Sequence, residues 1–297
     1  ANENSFNYWE KGFVSIENGL ISGVGDANES PNVSTVVDYG KSLICSGFVD
    51  AHVHYPQIDV IASYGTQLLE WLDKYTFPEE SRFSSKEVAV KASAFFCDEL
   101  LKNGITTAAV FCTTHPESVD AFFEESTKRN LRMVAGKVLM DRNAPKVICD
   151  TPKTGHTQSQ ALINKWHKKG RNLYAVTPRF APTSSPEQLE LAGDLYKSAE
   201  DIYVQSHVSE NIDEIAWVHQ LFPDAESYMD VYSRFGLLGP RTLYGHGIHF
   251  SDSEIKLAAE TGAGIVHCPT SNLFIGSGFF DYAKLKSSGV NLALGTD

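Results

Sequence analysis

Eight short apolar runs punctuate the chain from Ser42 to its last residue, separated by longer helix-patterned segments. They read SLICSGFVDAHVH, GITTAAVFCT, RMVAGKVLM, LYAVTPRF, IYVQSHV, RTLYGHG, GAGIVHC and NLALGTD, with stretches such as SSKEVAVKASAFFCDELLKN between them. Apolar strands that alternate with helices predict a parallel sheet covered by helices. Eight such units predict a closed barrel rather than an open doubly wound sheet, and no Gly-x-Gly-x-x-Gly follows a strand. Ser251 with Glu254, and Ser185 before Pro186, mark two helix starts. The expected class is α/β: a (β/α)8 TIM-like barrel over residues 43–297. Ahead of it, FVSIENGLISGVG alternates apolar and polar residues about Asn18-Gly19, which predicts a hairpin. Residues 1–42 are expected to form part of a small β-sandwich domain.

A barrel of this kind works at the carboxyl ends of its strands. His52 and His54 end the first run, after Leu43, Ile44, Phe48 and Val49, which read as a strand about to be buried. Residues i and i+2 of a strand share a side, so two imidazoles aim at one point. A bare His-x-His also describes two hydrogen-bonded histidines at a loop edge, so the other strand ends carry the argument. Arg179 and Phe180 end the fourth run, His207 the fifth, His246 the sixth and Asp297 the eighth. His52, His54, His207 and Asp297 could together hold one zinc ion with a position open to water, the mark of a catalytic site. Zinc so held brings the pKa of water toward 7. Glu210 follows His207 by three residues, where the chain leaves a strand and enters a helix. It suits a general acid/base, and it equally suits a first-turn glutamate favoured by the helix dipole.

The formal net charge of −12 in 297 residues leaves no basic stripe for a nucleic-acid partner. The five cysteines are scattered, with no Cys-x-x-Cys, as expected of free thiols in a reducing compartment. The first residues show no secretory signal, and no apolar stretch has the length of a membrane span, so a cytoplasmic protein is expected. His-x-Glu with Pro-Cys-x-x-Cys, the cytidine-deaminase type of zinc site, is not found.

GFVDAHVH, QSHVSEN, LYGHG and LGTD resemble the strand-end signatures of the amidohydrolase superfamily. GTQLLEWLDKYTFPEE, VTPRFAPTSS and HCPTSNLFIGSGF resemble its guanine deaminase branch, and the resemblance runs from about residue 10 to the end. It implies hydrolytic deamination of guanine to xanthine and ammonia in purine catabolism or salvage. One zinc per chain would sit on His52, His54, His207 and Asp297, with Glu210 as proton shuttle and His246 steering the water. Gln57, Trp71, Arg179 and Phe180 would surround the purine, beside His207, Glu210 and Asp297. An arginine fork matches the adjacent O6 and N7 acceptors of guanine. The resemblance further implies a homodimer. It also implies an eighth helix and closing β-domain strands beyond Asp297, so that the chain reads as cut after its eighth strand. The competing readings are a mononuclear amidohydrolase of another amino- or halo-substituted heteroaromatic ring, and a non-catalytic fragment. Of the remaining candidates, His267 is expected to pack beside the site and His115 to lie in a loop. His156, His167, His219 and His249 are expected to face solvent, and Lys137 to stand outside a one-metal centre.

Overall fold

The computed structural model describes residues 6–33, 35–65 and 67–297, in two compact units that divide at Ser46/Gly47. In the first, β1 (Gly12–Glu17) and β2 (Leu20–Asp26) pair antiparallel. Asn18 (φ 52°) and Gly19 (φ 77°) supply the two positive φ angles of the tight turn. The described part of this unit contains that hairpin and a single 3-10 turn over Ala27–Glu29. Leu43 and Ile44 are exposed and lie outside any strand. The first barrel strand begins at Phe48, and its burial begins only at Asp50, two residues before the first histidine.

The second unit is a nearly closed parallel barrel. Its strands are β3 (Phe48–His54), β4 (Ile105–Phe111), β5 (Arg132–Gly136), β6 (Val138–Leu139) and β7 (Leu173–Pro178). They continue as β8 (Tyr203–Val208), β9 (Thr242–His246), β10 (Gly264–His267) and β11 (Asn291–Leu294). The hydrogen-bonded path runs β3-β4-β5-β7-β8-β9-β10-β11, with β6 on the side of β7. The single run expected over RMVAGKVLM is therefore two strands that break at Lys137. Past β11 the backbone N–H of Asp297 donates to the carbonyl of His52 at 2.8 Å, which ties the last strand end to the first. At Gly136 a Cβ would lie 1.8 Å from the carbonyl oxygen of Ala175, so only glycine lets β5 approach β7 this closely.

Ala109, Val134, Leu173 and Ala175 fill the barrel interior below the site. Above them the buried Gln205 donates to the carbonyl of Val110 and to Thr177 Oγ1, a polar layer under the strand ends. Outside the strands Tyr55, Phe96, Phe122 and Tyr174 belong to the core beneath the helices. Helix 86–102 is capped by Ser85, helix 186–197 by Ser185 ahead of Pro186, and helix 252–261 by the reciprocal box of Ser251 and Glu254. Among the described residues no helix is long and apolar enough to cross a membrane.

Candidate active site

The strand ends bring four groups to one point. His52 and His54 leave β3 with their Nε2 atoms 3.3 Å apart, and His54 Nε2 lies 3.1 Å from His207 Nε2 at the end of β8. Asp297 Oδ1 is 3.3 Å from His52 Nε2 and 3.2 Å from His54 Nε2. A tetrahedral ion with bonds of about 2.0–2.1 Å holds its ligand atoms roughly 3.3–3.4 Å apart, so the cluster has the spacing of a ligand cage. Its chemistry fits as well. Burial pushes His52 down to about 4 and His207 well below the ordinary histidine value, so these two imidazoles stay neutral and keep lone pairs for a cation. Burial would raise Asp297, but its contacts to His52 and His54 outweigh this and hold the carboxyl well below its usual range.

The rings are held from behind. Arg179 offers its carbonyl oxygen to His207 Nδ1 at 2.6 Å, which puts the proton on Nδ1 and turns the free Nε2 inward. Phe111, the last residue of β4, packs against all three imidazoles at ring separations of 4.4–4.8 Å. His52 fits only because two neighbours lack side chains. A Cβ at Gly245 would stand 2.5 Å from its ring, and one at Gly295 2.7 Å from its Cβ.

Glu210 precedes the N-cap of helix 212–221, and the acidic first-turn positions there belong to Asp213 and Glu214. Its first-turn reading is thus overturned by geometry. The Glu210 side chain is buried, takes a hydrogen bond from Ser277 Oγ at 3.0 Å, and places Oε2 3.3 Å from His246 Nε2. Burial pushes its carboxyl up to about 7, into the range where a proton can be both taken and given. For His246 burial acts downward, yet the carboxylates of Glu210 and Asp297 raise it above its ordinary value. His246 Nδ1 meets Asn272 Oδ1 at 2.8 Å, so Nε2 is the nitrogen facing Glu210 and Asp297. Ser209 (φ 47°) and His246 (φ 77°) both adopt left-handed backbone here, the kind of strain that collects at working sites.

A cavity of about 740 Å³ opens onto the cluster, and Gln57, Trp71, Arg179, Phe180 and Glu210 are among its lining residues. Every residue expected at the site therefore reaches the same cavity or the cage beside it. His267 stacks on Phe280 with ring centres 4.5 Å apart and stands outside the cage. A second trio, His52, His246 and Cys268, also has ligand spacing but shares His52 with the first. Lys137 is buried and paired with Asp150, away from the cage. His115 is half-buried ahead of helix 116–128. Three histidines expected in solvent are half-buried instead: His156 in helix 152–166, His167, which joins Glu200 to Tyr174, and His249, which meets the carbonyl of Ser277, while His219 is exposed as expected.

Several contributors were not singled out from the sequence, namely Asp50, Glu80, Phe111, Glu214, Asn272 and Ser277. Asp50 accepts from the N–H of His52 and of Thr296 and from Thr296 Oγ1 at 2.6 Å, and so fastens the backbone of one ligand to the residue before another. Its place in the quoted DAHVH is the one signal that could have found it. Partners of this kind contribute about 10–100-fold to metal affinity. Asp50→Ala is expected to weaken divalent-metal binding by roughly that factor in a chelator competition. Unchanged affinity would assign Asp50 to strand closure alone.

These features define a hydrolase barrel of the metal-dependent type. The chain belongs to the amidohydrolase family, whose model matches residues 43–297. It is 48% identical to the guanine deaminase of Escherichia coli (strain K12) over 292 residues, covering 97% of this chain and 66% of that protein. The chain thus spans just under two thirds of that relative's length. The solved structure of the E. coli enzyme superposes with a TM-score of 0.94 over 96% of this chain and 67% of its own. A guanine deaminase from C. acetobutylicum, solved with guanine in its active site, is 35% identical with a TM-score of 0.91 over 96% of this chain and 68% of its own.

Proposed function

We propose that this chain carries the active site of a zinc-dependent guanine deaminase of the cytoplasm, which hydrolyses guanine to xanthine and ammonia. The observation that carries the reading is the meeting, in one cavity, of a three-histidine, one-aspartate cage, a buried glutamate poised near neutrality, and an arginine suited to a purine edge. The relatives named as guanine deaminases support the choice of ring. The free thiols, Cys97, Cys112 and Cys268 among them buried, suit a reducing compartment.

His52, His54, His207 and Asp297 would hold the zinc, which when bound makes water acidic enough to serve as a nucleophile near neutral pH. Arg179 donates to the O6/N7 edge of the ring, while Phe180 and Trp71 cover it and keep bulk water away. This sets C2 toward Glu210 and Asp297. As the water oxygen bonds to C2, Glu210 takes one of its protons and delivers it to N3. His246, with Nε2 toward both carboxylates, orients the water through that nitrogen. The remaining hydroxyl proton passes through the carboxylates to the amino nitrogen. The C2–N bond then breaks, ammonia leaves, and C2 keeps a carbonyl oxygen.

The test is guanine turnover by the 297-residue chain, with bound metal quantified on the same sample. Xanthine and ammonia in equal amounts, with about one zinc per chain, are expected. A chain that holds zinc and turns over a pterin or triazine but not guanine would replace the substrate and keep the chemistry.

A further inference from the structure

The strongest unassigned group near the site is the carboxylate of Glu80, in helix 77–81, which is 1% exposed. It does not line the cavity; it stands behind two residues that do. Arg179, 2% exposed, sets Nη1 against both of its oxygens at 2.8 and 2.7 Å, and Gln57 Nε2 donates to Oε1 at 3.2 Å. The Phe77 ring lies 5.5 Å from the guanidinium and backs it on another side. A carboxylate accepts and never donates, so the Gln57 amide must present its nitrogen to Glu80. Its oxygen is then the head left for the cavity. The same contact occupies Nη1 of Arg179, while Nε and Nη2 have no acceptor among the described residues.

We propose that Glu80 is a positioning residue that sets the polarity of the ring-reading edge: it anchors Arg179 as the donor and forces Gln57 to be the acceptor. The inference rests on the purine reading above and deepens it. A 6-oxopurine carries an acceptor at O6 beside a donor at N1–H, which a donor–acceptor pair complements. Adenine carries the reverse, an amino donor beside the N1 acceptor. A Gln57 amide free to flip would satisfy the N1 position of either ring. One anchored to a carboxylate satisfies only the oxo form. Glu80 also neutralises the arginine, so the pocket suits a neutral ring rather than an anion.

The experiment compares binding of hypoxanthine and adenine to the metal-loaded chain by calorimetry. Hypoxanthine keeps the O6/N1–H edge but has no 2-amino group to lose, so its binding is read without turnover. The wild-type chain should prefer hypoxanthine. In Glu80→Gln, whose amide can pair with either end of Gln57, that preference should shrink at least tenfold, and KM for guanine should rise more than kcat falls. Glu80→Asp, which restores the carboxylate, should recover much of the preference. Gln57→Met, at a half-buried position, gives an independent arm: hypoxanthine affinity should drop at least tenfold while adenine affinity holds or improves. Glu80→Gln with the wild-type preference, or Gln57→Met with unchanged hypoxanthine affinity, overturns the proposal. A wild-type chain that binds metal but neither purine overturns the purine reading itself, and this inference with it.

Discussion

Glu210→Gln is expected to lower kcat for guanine by at least about 10³-fold while zinc content stays at the wild-type level. A positioned acid/base contributes about 10²–10⁴-fold to a single proton transfer, and here one carboxylate serves both the addition to C2 and the departure of ammonia. Glutamine keeps the shape and can still accept from Ser277, so the loss isolates the proton rather than the packing. The metal should remain because Glu210 is not part of the four-residue cage. The pH dependence follows in sign. Burial lifts Glu210 to about 7, and a bound cation would draw that value down. Only the carboxylate can take the first proton, so kcat/KM should fall as pH is lowered through the pKa of this group. The glutamine variant should lack that limb. Steady-state kinetics across pH, with metal analysis, checks both parts. A variant within tenfold of wild type would leave Glu210 only a structural role beside Ser277 and His246.

What the sequence revealed and what it concealed separate along physical lines. The cage was legible because a barrel delivers its strand ends to one rim, so polar residues at the ends of separate apolar runs must meet. His52, His54, His207 and Asp297 obey that rule, and Gly245 and Gly295 mark the same convergence as space left for a ring. Glu80 was hidden because TFPEE reads as a solvated helix start, and only the fold turns its second glutamate onto Arg179 from 99 residues away. Asn272 and Ser277 lie in the segment after β10, where no periodicity tells which polar atoms face inward. Yet they hold His246 and Glu210 respectively. The break at Lys137 was hidden for the opposite reason. An apolar run with one lysine looks continuous until the buried ammonium finds Asp150. Leu43 and Ile44 misled because hydrophobicity alone cannot say where a strand enters the core.

The largest effect on specificity is expected at the ring edge, where guanine should exceed 2,6-diaminopurine, which keeps the reacting 2-amino group but carries an amino donor at position 6, by about 10⁴ in kcat/KM, the scale reached when buried polar groups are left unpaired. Arg179 is the reason. Its guanidinium is buried against Glu80, so a ring that offers a donor opposite it leaves a charged fork without an acceptor. Size cannot provide this discrimination, since the two purines are nearly the same shape and a cavity of about 740 Å³ admits either. Arg179→Lys should lower kcat/KM for guanine by roughly 10²–10³, because a point ammonium cannot address two acceptors in the fork geometry. Zinc should be retained in that variant, since the bond to His207 comes from the main-chain carbonyl of residue 179 and survives a change of side chain. Reading and catalysis thus meet on one residue through different atoms. Competition assays with both purines, wild type beside Arg179→Lys, separate the two roles. Comparable turnover of 2,6-diaminopurine and guanine by the wild type would remove Arg179 from recognition, whereas zinc lost from the lysine variant would show that the side chain also supports the cage.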